Sequence, residues 1–222
     1  MNSLNFIKIQ SNGQVAEELE KTISARLSKG LSVLWLLSGG SAIEPAVSAS
    51  RLLARRDLSQ LSISLGDERY GRPGHRDSNW QTLIETGFSP GNAKLYPVLS
   101  GLGPEQTTAE FNQFLKKYLI ESDFKLALLG IGTDGHTAGI LPHSPAVDSN
   151  DYVAYYQAAD YERITITPKA LALMDEAVVY GRGQEKAEEI AKLDQDLLIA
   201  DQPAQIIKQI AKVCVYNDLK GV

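Results

Sequence analysis

The stretch Leu126-Ala-Leu-Leu-Gly-Ile-Gly-Thr-Asp-Gly-His-Thr-Ala-Gly-Ile-Leu-Pro142 decides the fold. An uncharged apolar run stops abruptly at Gly130, Gly132, Asp134, Gly135 and His136. A short strand with no charge suits the centre of a parallel sheet, where both faces are covered. Ligands bind outside the carboxyl ends of such strands, so Asp134 and His136 are expected to face a substrate. The same letters spell G-x-G-x-x-G, the phosphate turn of a dinucleotide-binding unit. That reading fails on three counts. A long helix must follow the third glycine, yet Pro142 and Pro145 stop or redirect one. Asp134 would set a carboxylate against a pyrophosphate. The region about twenty residues on, where a ribose-binding acid should end a strand, holds Asp148-Ser-Asn-Asp151 and reads as a turn.

Working outward, apolar runs at 5–10, 32–37, 61–65, 125–129, 177–180 and 213–216 read as strands. Helix-like stretches at 13–29, 42–56, 104–121 and 184–193 lie between most of them. In the first, Val15, Leu19, Ile23 and Leu27 recur at four-residue spacing and Gly30 closes the helix. Strands alternating with helices predict an α/β fold: a doubly wound, mostly parallel, Rossmann-like sheet with helices on both faces. The chain of 222 residues is 43% hydrophobic and has no repeat or linker, so one domain over 1–222 is expected. Two segments break the alternation. Residues 66–79 are rich in charge and turn formers and read as a functional loop. Residues 160–168 alternate like a strand, then enter a helix with Thr167 as cap and Pro168 as its first residue.

Composition removes several function classes. The net charge of −5 argues against a nucleic-acid partner, so any bound anion needs a local cationic cluster. No apolar stretch approaches the ~18 residues needed to span a bilayer, and the N-terminus lacks a basic region followed by an apolar run. A cytoplasmic protein is expected, as a monomer or small homo-oligomer. The lone Cys214 lies in Val-Cys-Val-Tyr and reads as a buried structural thiol. His75, His136 and His143 share no zinc spacing with it, so no catalytic metal and no cofactor are expected. His75, in the 66–79 loop, is expected to line the pocket, and His143, beside prolines, to lie on the surface or a lid.

The remaining motifs sit at strand ends. Ser38-Gly39-Gly40-Ser41 leads from a strand into a helix, a geometry that aims free amides at an anion. Taken alone it serves equally as a tight turn that binds nothing. It is not a Walker loop, because no Gly-Lys-Ser/Thr follows. Gly181-Arg-Gly-Gln-Glu-Lys186 repeats the pattern, with Lys186 in the first helical turn. A cation there is mildly unfavourable unless an anion neutralises it; a solvent-facing lysine is the plain alternative. Asp67-Glu68-Arg69 follows another strand, where Arg69 suits bidentate phosphate or carboxylate recognition and a structural ion-pair triplet is the rival. Arg163 is ambiguous by itself.

Together, Leu37-Ser-Gly-Gly-Ser41, Gly66-Asp-Glu-Arg69, Asp77-Ser-Asn79, Leu129-Gly-Ile-Gly-Thr-Asp-Gly-His-Thr-Ala138, Arg163-Ile-Thr165 and Gly183-Gln-Glu-Lys186 resemble the 6-phosphogluconolactonase family, in its order. The related glucosamine-6-phosphate deaminases typically read Ile-Ala-Phe-Asn-Glu after the histidine, where this chain has Thr137-Ala-Gly-Ile-Leu-Pro142. The resemblance implies hydrolysis of a sugar-phosphate lactone by water, without a covalent intermediate. It implies His136 as general base, oriented by Asp134, with Gly39, Gly40, Ser41, Arg69, Arg163 and Lys186 around the phosphate. Asp67 and Asn79 would hold the loop or contact sugar hydroxyls. Two alternatives stand beside it: a phosphosugar isomerase or deaminase using the same Asp134 and His136, and a non-catalytic sugar-phosphate sensor.

Overall fold

The computed structural model describes residues 4–219 and 221. In chain order the elements are β1 (Asn5–Lys8), α1 (Asn12–Leu27), β2 (Val33–Leu37), α2 (Ile43–Leu53), β3 (Leu61–Leu65), β4 (Asp67–Arg69), α3 (Asn79–Glu85), β5 (Lys94–Leu95), α4 (Pro104–Glu121), β6 (Phe124–Gly130), β7 (Val153–Gln157), β8 (Glu162–Ile166), α5 (Pro168–Leu171), β9 (Glu176–Gly181), α6 (Ala187–Lys192) and β10 (Lys212–Asn217). Seven strands form one sheet in the order β1-β10-β9-β6-β2-β3-β5. Every pairing in it is parallel. The six strands read from the sequence are β1, β2, β3, β6, β9 and β10, and the α/β architecture is the expected one.

The burial follows from the residues. Every residue of β2, β3 and β9 is buried, so both faces of the sheet centre are covered. α1 turns Val15, Leu19 and Ile23 inward, and α4 does the same with Thr107, Phe111, Leu115 and Leu119 at four-residue spacing. Cys214 is buried in β10. No helix directly follows Gly135: the next one, α5, begins only at Pro168, so the turn lacks the long helix a dinucleotide site needs. Among the described residues, no helix is long and apolar enough to cross a membrane.

The strand order positions the site. From β2 the chain builds outward through β3 to β5, then returns to lay β6 on the other side of β2. The loops leaving β2 and β6 therefore diverge, which opens a crevice at their carboxyl ends. These loops are Ser38–Ser41 and the Asp134–His136 turn.

Two expectations need correction. Residues 66–79 are not wholly loop, because Asp67–Arg69 forms β4 in a second, antiparallel sheet of order β4-β8-β7. Gly66 joins the two sheets: its N–H donates to Leu37 O at 2.6 Å and its carbonyl accepts from Ile166 N at 2.8 Å. Thr167 is the N-cap residue of α5 and Pro168 its first residue, as read, but the Thr167 hydroxyl makes no cap hydrogen bond and instead donates to Asp151 O at 2.6 Å.

Candidate active site

A cavity of about 310 Å³ lies over the divergence of β2 and β6. Its wall includes Gly39, Gly40, Ser41, Asp67, Arg69, Asn79, His136, Arg163 and Lys186. Nine of the ten residues singled out from the sequence thus converge from six separate segments. The tenth, Asp134, does not line the cavity. It sits behind His136, with Oδ1 at 2.6 Å from the ring Nδ1 and 3.1 Å from the His136 backbone N–H. The hydrogen bond from His136 holds the Asp134 carboxyl down at about 2, against the opposing effect of burial. An ionised Asp134 accepts the Nδ1 proton, so Nε2 carries the lone pair.

The second sheet explains how Asp67, Arg69 and Arg163 come together. In its antiparallel register Arg69 lies directly opposite Arg163, and Asp67 opposite Thr165. Side chains alternate along a strand, so these four share one face while Glu68 points to the other. Like charges directly opposite are destabilising in a bare sheet. Here Asp160 takes Arg163 Nη2 at 2.7 Å, and Arg69 Nη1 donates to Asp77 O at 2.9 Å. The Tyr161 ring lies 5.1 Å from the Arg69 guanidinium and 5.7 Å from that of Arg163. Each arginine still keeps a buried Nε–H without a protein partner. Buried donors are nearly always satisfied, so such a pair in a cavity wall is suited to an anionic ligand.

On its far face Glu68 organises the loop. Oε1 accepts from Arg69 N at 2.8 Å and Asn79 N at 2.7 Å, while Oε2 accepts from Ser78 Oγ at 2.8 Å and Trp80 N at 3.1 Å. The carboxylate thereby caps α3 and fixes Asn79. Burial pushes the Glu68 carboxyl up, opposed by these donors. Asn79 Nδ2 then donates to Asp67 O at 3.0 Å and Asp67 Oδ2 at 3.2 Å. Burial likewise raises the Asp67 carboxyl, with Arg69, Arg163 and His136 pulling it back. Gly39 is glycine for space: a Cβ there would collide with the Asn79 amide.

Lys186 ends the short 3-10 turn Gln184–Lys186 after β9, and its Nζ donates to Ser41 Oγ at 2.9 Å. Partial burial lowers the Lys186 ammonium below its ordinary value. Six wall residues lie outside those ten: Ser38, whose buried hydroxyl has no protein partner, Gly130, Ile131, Gly132, Ala138 and Asp160. Asp160 opens the strand-like segment 160–168, but it lies in the turn joining β7 to β8, which starts only at Glu162. His75 does not line the cavity, contrary to expectation. Its Nε2 lies 2.9 Å from Arg69 O, bracing the strand. His143 is exposed beside Asp201, at 3.3 Å. No cluster of three potential metal-ligating side chains occurs among the described residues.

Comparison with known proteins gives the lineage. The family model for glucosamine-6-phosphate isomerases and 6-phosphogluconolactonases matches residues 10–215. The chain is 33% identical to the 6-phosphogluconolactonase of Synechocystis sp. over 52% of its own length and 51% of that protein. It is 31% identical to the Helicobacter pylori 6-phosphogluconolactonase over 77% of this chain and 76% of that one. A crystal structure of a 6-phosphogluconolactonase from Shewanella baltica superposes with a TM-score of 0.82 at 20% identity, covering 97% of this chain and 98% of that one, a likeness of fold. The chain belongs to the glucosamine-6-phosphate isomerase/6-phosphogluconolactonase family.

Proposed function

We propose that this protein hydrolyses 6-phospho-D-glucono-1,5-lactone to 6-phospho-D-gluconate, the second step of the oxidative pentose phosphate pathway, the whole chain acting as one domain. The observation that carries the proposal is a histidine base facing a cationic wall across one cavity. His136 Nδ1 is committed to Asp134, which leaves Nε2 to take a proton from water as the water oxygen attacks the lactone carbonyl. The tetrahedral intermediate then collapses, the C1–O5 bond breaks, and the same proton returns to the departing ring oxygen. Asp134 steadies the imidazolium in between. The guanidinium donors of Arg69 and Arg163, the Lys186 ammonium and the amides of the Gly39–Gly40–Ser41 turn supply positive potential for the phosphate and the developing oxyanion. Asp67 and Asn79 are assigned to the sugar hydroxyls or to holding the loop.

The first test is decay of freshly generated lactone above its spontaneous background, in wild type and His136→Ala. The expected loss of turnover is roughly 10²–10⁴-fold, the usual worth of general acid–base catalysis. An unchanged rate removes His136 from the mechanism.

One observation favours a second reading. Asp67 is a buried carboxylate in the same wall, near His136, and its raised affinity for protons suits a group that abstracts one from carbon. An aldose–ketose isomerase or deaminase needs such a base. Product analysis after incubation with glucosamine 6-phosphate separates the two: fructose 6-phosphate and ammonia would overturn the lactonase assignment.

A further inference from the structure

Gly135 stands between Asp134 and His136 with φ at +80°, so the backbone there sets how the two side chains meet. Three contacts hold it. Its N–H donates to Gly132 O at 3.1 Å and its carbonyl accepts from Ala204 N at 2.9 Å. Its open face lies against two buried polar side chains, for a Cβ at this position would meet Gln202 Cγ and Glu189 Oε2, each at 2.6 Å.

Those two residues belong to a closed network outside the cavity wall. Gln202 Nε2 donates to both the Glu189 carbonyl and its Oε2 at 2.9 Å, and Gln202 Oε1 accepts from Gln205 Nε2 at 2.5 Å. Gln205 also reaches Lys192 O at 3.0 Å, and Lys192 Nζ donates to Glu189 Oε1 at 2.7 Å. Gln202 is 1% exposed and Glu189 6%. Burying a carboxylate and two amides costs free energy that an apolar filling would avoid. Fully satisfied, such a network fixes one geometry. Glu189 also lies one helical turn beyond Lys186, on a helix anchored in the core by Ile190. The network therefore connects the cation on one side of the cavity to the turn bearing the base.

We propose that Gln202 and Glu189 are positioning residues: they lock Gly135, and so the Asp134–His136 pair, against the helix that follows Lys186. The proposal rests on His136 being the base of the hydrolysis reading. Loosening the brace displaces the glycine turn rather than α6, because Ile190 and Leu193 keep the helix seated. The cost falls on the chemical step. A displacement of about 1 Å at reacting groups lowers rates by about 10²-fold.

The test compares wild type, His136→Ala, Gln202→Met and Glu189→Gln, the last two close in volume to the originals. Each is assayed for lactone turnover, for inhibition by 6-phosphogluconate, and for the histidine Nδ1–H proton resonance, which His136→Ala assigns among the three histidines. Gln202→Met is expected to lower kcat by about 10–100-fold, with KM and product inhibition within about twofold and the resonance displaced. Should Gln202→Met fail to fold, Glu189→Gln carries the same readouts. An unmoved resonance, an unchanged kcat, or a kcat loss matched by an equal rise in KM overturns the proposal. A wild type that does not accelerate lactone decay sinks the hydrolysis reading instead, and the resonance then decides the brace by itself.

Discussion

Asp134→Asn is the sharpest probe of the candidate site, since it removes one charge and leaves the shape. The Asp134 carboxyl lies at about 2 against an ordinary 3.8, chiefly through its bond to His136. At about 1.36 kcal/mol per unit, that difference corresponds to roughly 2 kcal/mol between the two protonation states. The side chain is 49% exposed, so solvent screening reduces the usable part towards ~1 kcal/mol. If this interaction stabilises the imidazolium formed during water attack, its loss slows turnover by roughly 5- to 30-fold. The assay is lactone decay with product followed through its coupled oxidation, alongside His136→Ala and the double variant. Because Asp134 acts through His136, the double variant should be no slower than His136→Ala alone. Additive losses would show that Asp134 acts on substrate directly, and an unchanged rate in Asp134→Asn would show that the 2.6 Å bond contributes nothing to the chemistry.

Arg69→Ala deletes one of two guanidiniums paired across the small sheet and should raise KM for the phosphorylated lactone about 10–100-fold, the worth of a charge-assisted bond; steady-state kinetics at fixed ionic strength check this. Glu68→Gln sets an amide against backbone donors that now meet a carboxylate, and should lower stability by about 3 kcal/mol in urea unfolding. For acid stability, a carboxyl held below its unfolded value contributes above about 4 and loses that contribution as pH falls through about 2. Wild type should accordingly out-melt Asp134→Asn at pH 6, with the gap closing by about pH 2.

Six of the seven strands of the main sheet were legible in the sequence because they are apolar enough to be strands anywhere: Val33–Leu37 and Glu176–Gly181 carry their burial in their composition. β4 was hidden for the opposite reason. Asp-Glu-Arg has no strand propensity of its own, and it is extended only because β8 pairs with it. β5 is two residues long, and β7 follows directly on a turn-rich stretch that masked it. The missed pairing mattered for the site as well as the fold. Arg163 was ambiguous as a lone cation in the sequence, and it acquires meaning from the register that sets it opposite Arg69.

The same distinction separates the residues of the His136 loop. Asp134 and His136 were found together because two residues of spacing bring them together whatever the remainder of the chain does. Their relation to the cavity was not legible: only the packed structure turns His136 into the wall and Asp134 behind it, with His75 drawn off to the Arg69 carbonyl. Gln202 and Glu189 lie further still from any local signal, since a buried amide and a buried acid read in sequence like any solvent-facing residues of a loop and a helix. What identifies them is a glycine, 67 positions from Gln202 and 54 from Glu189, whose missing side chain would occupy their space. Long-range steric exclusion of this kind is written into the choice of glycine at 135, yet it becomes readable only when both partners are seen.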